Sequence, residues 1–418
     1  MKVSAITPDA MPAGVRGLAY GVFCWLNRHP SALRVLGALL RLLPSLAGRF
    51  GLVVRASAAK TVLKRPKSFS NTAHEPNLVA GDYMIGMDPG PTYTADRALL
   101  EERLKSLNVR DDADRQAKAR LSCLTKSRAN QPFDFIEDYM MWVAFHAIQP
   151  VFGSAGDEVA VGAGGNISDE GLKRQYLLEI RYVAGQLLAG ALSTPRIQRR
   201  AGVCADSLRT RIEGVRGDIA KAWHVSISSA DLDRNAIGLA WISHPVTVQS
   251  GALVVQELLS RPAIYRNLRA LAAAKADVWT DNEFRNIVRD HVLELMRFRP
   301  IFPLLARDVP RDTEFETGGR KNAQCRAGGK LAIWSIAALF DSRAVPDSGR
   351  FCPHREWQDQ DFRWMMFGYG DRHCPARHYA VEIITSALIG LLTLPELQLA
   401  ESITYDGPLM SRMRMRFA

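Results

Sequence analysis

Apolar positions recur every three or four residues over long parts of this chain, the spacing that turns one face of a helix toward a core. The pattern predicts helices over Phe133–Val151, Glu170–Leu192, Asn282–Arg297 and His378–Leu394, and a charged helical stretch from Tyr93 to about Leu124. Arg234–Ser260 keeps helical spacing for 27 residues, interrupted only by Pro245, and is long enough to cross a whole domain. Strand character is confined to short pieces. Arg49–Arg55 is β-branched and apolar and predicts a strand, followed by a short helix over Ala56–Lys64 and a loop over Pro66–Asn71. Alternating segments between Asp308 and Ile336, joined at Gly318-Gly319 and Gly328-Gly329, predict hairpins. Phe340–Phe367 lacks a period and predicts an irregular packed meander, and Tyr405–Phe417 predicts strand and turn.

With 418 residues, 47% of them hydrophobic, the chain can bury a large core. No linker-like run or repeat divides it, so residues 48–418 are read as one domain, mainly α with small β regions, and residues 1–47 as an N-terminal segment. Leu33–Leu46 carries Arg34 and Arg41 among Leu and Val at helical spacing. It reads as an amphipathic helix packed on the body, with peripheral contact to a membrane surface as the alternative. The apolar stretch Gly17–Leu26 is too short to span a bilayer and lacks a cleavage site, so the chain is read as cytoplasmic. Six scattered cysteines agree with a reduced compartment. The +11 charge favours acidic partners, while the lack of zinc spacing and of basic–aromatic interleaving argues against nucleic acid.

The densest chemical signal is Phe367-Gly368-Tyr369-Gly370-Asp371-Arg372-His373-Cys374-Pro375-Ala376, directly before the predicted helix His378–Leu394. A thiolate ligand at Cys374 gains stabilisation from backbone N–H groups at a helix start. Gly368 and Gly370 suit a tight turn beneath a flat ligand, where a Cβ would collide. Phe367 can cover the sulfur, and Arg372 can pair with a carboxylate of that ligand.

This segment resembles the cysteine-ligand loop of the cytochrome P450 superfamily, matching its five fixed positions at Phe367, Gly370, Arg372, Cys374 and Ala376. Upstream, Glu294 and Arg297 share a helix face and resemble the family's Glu-x-x-Arg pair, with Arg350, before Phe351 and Pro353, as the best match to its third partner. The resemblance implies a triangular helical body enclosing haem b, with Cys374 as the axial iron ligand. It further implies propionate contacts from Arg307 and Arg372 and from Tyr93 and Arg97, a pair in which Tyr replaces the family's His.

The long helix departs from the family. Aligned from Arg261-Pro262 backward, the stretch that carries an acid–alcohol pair in most relatives reads Ile242-Ser243-His244-Pro245-Val246-Thr247, with Pro245 for the acid and Val246 for the alcohol. Pro245 removes an N–H and crowds the carbonyl of Trp241, so the helix is expected to open or kink there. Trp241, Ile242, Pro245 and Gln249 share the face turned toward the haem, while His244 falls about 115° from its centre. A distal pocket is therefore expected from Trp241, Ile242, His244, Pro245, Val246 and Gln249, from Ile301, Phe302 and Leu304, and from Leu409 or Met410 in the tail.

The implied activity is monooxygenation of an apolar or aromatic small molecule, with protons delivered by water or by the substrate. Alternatives are a peroxide-using enzyme, radical coupling or rearrangement without oxygen insertion, and a non-enzymatic haem sensor. No nucleotide fingerprint follows a strand, so electrons are expected from an acidic ferredoxin or flavodoxin with its reductase. That partner, or an acidic carrier protein, would meet Arg372, Arg377, Arg103 and Lys105.

Overall fold

The computed structural model describes residues 15–42, 48–127, 131–162, 164–190, 195–226, 230–317 and 322–417. Residues 1–14 and 43–47 of the N-terminal segment, and the Gly318-Gly319 turn, lie outside the described residues.

The long apolar stretch forms one helix, Ala230–Leu259, of 30 residues. It is buried on most sides, with Leu232, Ala236, Leu239, Trp241, Val248, Ala252, Val255 and Leu258 inside the main core. The helix runs through Pro245 without interruption, contrary to the expected opening. A mid-helix proline costs about 3 kcal/mol in isolation, but packing on every side holds the backbone in place. Small residues let neighbours approach: a Cβ on Gly238 would meet the Tyr83 ring at 2.0 Å.

The charged stretch after Tyr93 is two helices, Pro91–Lys105 and Val109–Ser127, broken between them. The first is anchored to the long helix by Asp96, which is fully buried and accepts from Arg234 Nε and Nη2, both at 2.8 Å, and from Asn235 Nδ2 at 2.7 Å. Asp96 thereby sets the position of Tyr93 and Arg97 on the same helix. Phe133–Val151 is less regular than its spacing suggests, with a short strand, a π-helical turn over Phe135–Met140, an α-helix over Met141–Ile148 and a tight turn after it.

Asn282–Phe298 begins on Asp281, whose carboxylate accepts from Phe284 N at 2.8 Å, and stops before Pro300. It packs beside Arg377–Leu392, which is buried along nearly its whole length. Glu170–Ala189 forms as expected, and three helices outside the sequence expectations are Pro195–Gly214, Arg216–Trp223 and Pro262–Ala273.

The β structure is small. Gly329–Trp334 pairs in parallel with Phe50–Val53 and antiparallel with Leu304–Val309, placing Arg307 opposite Leu331. Thr313–Phe315 pairs with Ala323–Cys325, and Arg414–Phe417 with Phe133–Asp134 and Leu397–Leu399. The helix Pro30–Leu40 packs on the body as expected, burying Pro30, Leu33 and Gly37; a Cβ on Gly37 would meet that of Ala337 at 2.6 Å.

Removing Asp96 leaves Arg234 and Asn235 with only their bonds to Asp231. Asp96→Ala is expected to destabilise the protein by about 1–3 kcal/mol, read from urea denaturation followed by circular dichroism.

Candidate active site

The loop carrying Cys374 lies between the turn Asp361–Phe367 and the helix Arg377–Leu392. Its shape comes from two positive-φ glycines, Gly368 at +88° and Gly370 at +72°, conformations that cost other residues strain. A Cβ on Gly368 would also press on the loop's own backbone, 3.2 Å from the Arg372 carbonyl oxygen. Cys374 N donates to the Phe367 carbonyl at 2.7 Å, closing the turn. Burial pushes the Cys374 thiol up, while the Ala376 N–H and the charges of Arg97 and Arg377 pull it back down. The N–H support expected at the helix start is therefore present, at Ala376.

Side chains clamp this loop from two directions. Arg97 donates to the carbonyls of His373 at 2.8 Å and Asp371 at 3.3 Å, and Tyr93 donates its hydroxyl to Asp371 O at 3.1 Å. Both residues were expected on propionates; here their polar atoms hold the loop. Arg372 reaches to the carbonyls of Met84, at 2.8 Å, and Met87, and lies 4.3 Å over the Tyr93 ring. Phe367 packs on Trp364.

Behind the loop, Arg297 and Glu294 form a bidentate pair at 2.9 and 2.7 Å with almost no solvent contact. Arg297 also donates to the carbonyls of Ser348, Leu339 and Arg350, and Glu294 accepts from Cys352 N at 2.9 Å. The third charged partner is Arg355, whose Nη2 lies 3.4 Å from Glu294 Oε1. Arg350 contributes only its carbonyl and its side chain is exposed, which corrects the sequence assignment. The meander's signal was Pro353-His354-Arg355; the proline turns the chain so that the residue two places on points inward.

Arg307 is buried on the strand Leu304–Val309, and its described hydrogen bond is to the Ala306 carbonyl at 2.7 Å. Burial and the neighbouring Arg372 charge bring its guanidinium down to about 9. His74 lies beside both arginines, and burial with their charges presses its imidazole down to about 4. Hydrogen bonds between the backbones of Ser70 and Asp308, at 2.8 and 2.9 Å, hold the His74 turn against that strand. Arg307, a buried guanidinium with no bonded carboxylate among the described residues and with Arg372 beside it, calls for an anion, and His74 adds a neutral imidazole to the same place. A group bearing two carboxylates and taking a thiolate ligand, as haem does, fits this set. His74 carried no local signal, because only the strand pairing brings it to Arg307.

On the long helix, Trp241 is buried, meets Tyr83 edge-on at 6.3 Å, and leaves its Nε1–H without a partner. Tyr83, absent from the sequence expectations, lies close enough to Cys374 to sense its charge; burial first, then that charge, raises its phenol. His244 is a correction: its Nε2 meets the Met141 carbonyl at 2.8 Å, in a small cavity with Phe145, Phe152, Tyr176 and Leu177, on another side of the helix. Burial brings its imidazole down to about 4. Ser243 and Thr247 donate back to the carbonyls of Leu239 and Ser243.

A larger cavity, about 710 Å³ including space open to solvent, is lined by Gln249, Leu253, Ile301, Phe302, Leu304 and Leu409, with Phe23, Asn27, Pro30 and Leu33 from the N-terminal helices. Cys374 is not in its wall; the link is the strand that bears Leu304 at the cavity and Arg307 three residues on. Gln249 is clamped to Met410, donating to its carbonyl and accepting from its N–H, both at 2.9 Å. Met410 thus packs inward and Leu409 lines the cavity, a second correction to the pocket. Ile242, Pro245 and Val246 are not among the residues of this cavity.

No protein-family model matches the chain. Among curated proteins it is 26% identical over 237 residues to the cytochrome P450 monooxygenase CYP2 of Pyricularia oryzae, covering 52% of this chain and 50% of that protein. It is 30% identical over 126 residues to strychnine-11-hydroxylase of Strychnos nux-vomica, covering 28% and 24%. The chain thus spans half or less of the length of these relatives. Solved structures match throughout: P450BioI in complex with an acyl carrier protein ligated to hexadec-9Z-enoic acid has a TM-score of 0.72 at 15% identity, covering 94% of this chain and 99% of that one. Ligand-free cytochrome P450 TbtJ1 has a TM-score of 0.68 at 18% identity, covering 97% and 100%.

Two outcomes test the site. Arg355→Ala removes the second cation at Glu294, which keeps Arg297, together with bonds to the carbonyls of Pro346 and Arg350, and is expected to cost about 1–3 kcal/mol, whereas Arg350→Ala stays within about 0.5 kcal/mol, both by urea denaturation. The neutral imidazoles of His74 and His244 must take up protons on unfolding, where their pKa returns to about 6.5. Their contribution is complete above that pH and is lost as pH falls from there toward 4. For His244 it is worth roughly 3 kcal/mol, so His244→Asn should flatten the loss of stability between neutral pH and mild acid.

Proposed function

Because this chain has the cytochrome P450 fold, we propose that it is a haem-thiolate monooxygenase acting on an apolar or aromatic small molecule. The observation that carries this reading is the buried Cys374 thiol in a doubly clamped loop, with the guanidinium of Arg307, which bonds no carboxylate among the described residues, and the neutral imidazole of His74 close by. Bound haem b supplies oxygen activation, with thiolate donation from Cys374 favouring O–O cleavage.

The chain's own residues bind and orient. Arg307 and His74, with the unpartnered Nε of Arg372 beside them, would hold the two carboxylates, and the Ala376 N–H would favour negative charge on Cys374 Sγ. Tyr93 and Arg97 keep the loop's carbonyls in place, so the sulfur cannot swing away. Tyr83 and Trp241 close the distal side against water, and the Trp241 Nε1–H is a buried donor able to meet a ligand. The cavity from Gln249 to Leu409 supplies apolar walls for the substrate body.

Proton delivery does not fall to side chains between Ser243 and Gln249. Ser243 and Thr247 donate to their own helix, His244 turns to Met141, Pro245 and Val246 have nothing to donate, and Gln249 is clamped to Met410. Protons then come from ordered water or from the substrate. The same commitments support a second reading, peroxide use, because a peroxide brings its own proton.

Electrons come from separate redox proteins, for which the +11 charge favours an acidic ferredoxin or flavodoxin. Arg377 and Lys105 suit that role; Arg103 is committed to the carbonyls of Val151 and Pro150. An acidic carrier protein delivering the substrate is compatible with the same charge.

Cys374→Ser is expected to abolish the red-shifted Soret band that thiolate ligation gives the reduced carbon-monoxide complex; its survival would remove Cys374 as the ligand. Product formation with ferredoxin and its reductase, compared with hydrogen peroxide alone, separates the two readings. Turnover with peroxide only would overturn the first.

A further inference from the structure

The larger cavity is apolar along most of its wall, yet Arg299 stands in it. Only 8% of this residue is exposed. Its place follows from the chain: the helix Asn282–Phe298 stops at Arg299 because Pro300 disfavours helical backbone before it, and Arg299 through Leu304 then run along the cavity. Arg299 Nη2 donates to the Arg28 carbonyl at 3.1 Å, and the guanidinium lies beside the Tyr405 phenol. Its Nε–H is buried and has no partner. Burial presses the guanidinium down, with Tyr405 and Glu257 pulling it back.

Among the described residues, no Asp or Glu lines this cavity. The other polar groups of the wall are already committed. Gln249 exchanges both its bonds with Met410, Asn27 donates to the Phe23 carbonyl at 2.9 Å, and the Tyr405 hydroxyl accepts from Gln256 at 3.2 Å. The carboxylates behind the wall are committed as well. Glu257 accepts from Arg261 at 2.7 and 3.2 Å, and Glu294 from Arg297 at 2.7 and 2.9 Å. Arg34 and Arg299 belong to the same cluster of charges, and neither makes an ion pair among the described residues; Arg34 Nη1 is likewise buried without a partner. This region therefore holds more buried positive charge than its carboxylates neutralise. A guanidinium in an apolar wall is costly until an anion meets it, and its planar N–H edge matches a carboxylate.

We propose that the larger cavity binds a small molecule made of an apolar body and one carboxylate, with Arg299 holding the carboxylate. Leu253, Ile301, Phe302 and Leu409 meet the apolar body. Arg307 is not among the lining residues, so this carboxylate site is separate from the one at Arg307 and His74. Resting on the substrate reading above, the molecule oxidised is then an apolar acid.

The test is isothermal titration calorimetry of the haem-loaded protein with decanoate, decanol and decyl phosphate, each below the concentration at which it forms micelles. The heat reports binding whether or not Cys374 ligates haem, so failure of the haem reading is told apart from failure of this one. Decanoate is expected to bind one per chain and at least about tenfold more tightly than decanol. Arg299→Gln is expected to erase that preference, and Arg326→Gln, at an exposed arginine, to keep it. Leu253→Trp, which narrows the cavity from the long helix, should weaken both acid and alcohol. Equal affinity for acid and alcohol, an undiminished preference in Arg299→Gln, or unchanged binding in Leu253→Trp would overturn the proposal. Tighter binding of decyl phosphate than of decanoate would overturn it in favour of a phosphorylated ligand.

Discussion

A guanidinium taken out of water must be met by an anion or by several carbonyl oxygens, and this constraint organises the proximal half of the molecule. Arg297 is fully buried and answers it with Glu294, the Leu339 carbonyl and two meander carbonyls, of Ser348 and Arg350. That one cluster ties the helix Asn282–Phe298 to the irregular stretch leading toward the Cys374 loop. Arg97 and Arg372 answer it with carbonyls of the loop and of Met84–Met87. Arg307 does not complete the answer, having a single carbonyl from its own neighbour. The contrast between satisfied and unsatisfied arginines is what makes the site read as a receptor for a carboxylate-bearing group.

The distal side follows from a different economy of hydrogen bonds. The helix Ala230–Leu259 survives Pro245 because its surroundings are packed, and its polar residues are spent on structure: hydroxyls on the preceding turn, His244 on Met141, Gln249 on the tail. Among the described side chains of this helix, the Trp241 indole N–H, His244 Nδ1 and Asn235 Oδ1 have no partner. On the proposed reading, such a helix shields the site more than it relays protons.

The N-terminal helices show the same logic at the surface. Phe23, Asn27, Pro30 and Leu33 on their inner faces line the larger cavity. Their arginines turn into the body, Arg34 over Phe298 and Phe340, Arg41 on the Ala337 carbonyl and Arg28 on that of Gly407.

Helix periodicity, the strand at Phe50–Val53 and the Cys374 loop were legible in the sequence because each depends on neighbours within a few residues: a 3.6-residue period, β-branching, glycines at positive φ. The Glu294–Arg297 pair was legible for the same reason, being one turn apart. Arg355 in place of Arg350, His74 beside Arg307, and Tyr83 against Gly238 were not, because each is a contact between segments far apart in sequence. Tyr93 and Arg97 were legible as a pair one turn apart, but their bonds to the loop carbonyls of Asp371 and His373 were not, being contacts across the fold. His244, Met410 and the unbroken helix at Pro245 were decided by what packs around them. Local backbone preference sets which elements form; the long-range pairing of buried charge and volume sets which side chains face the site.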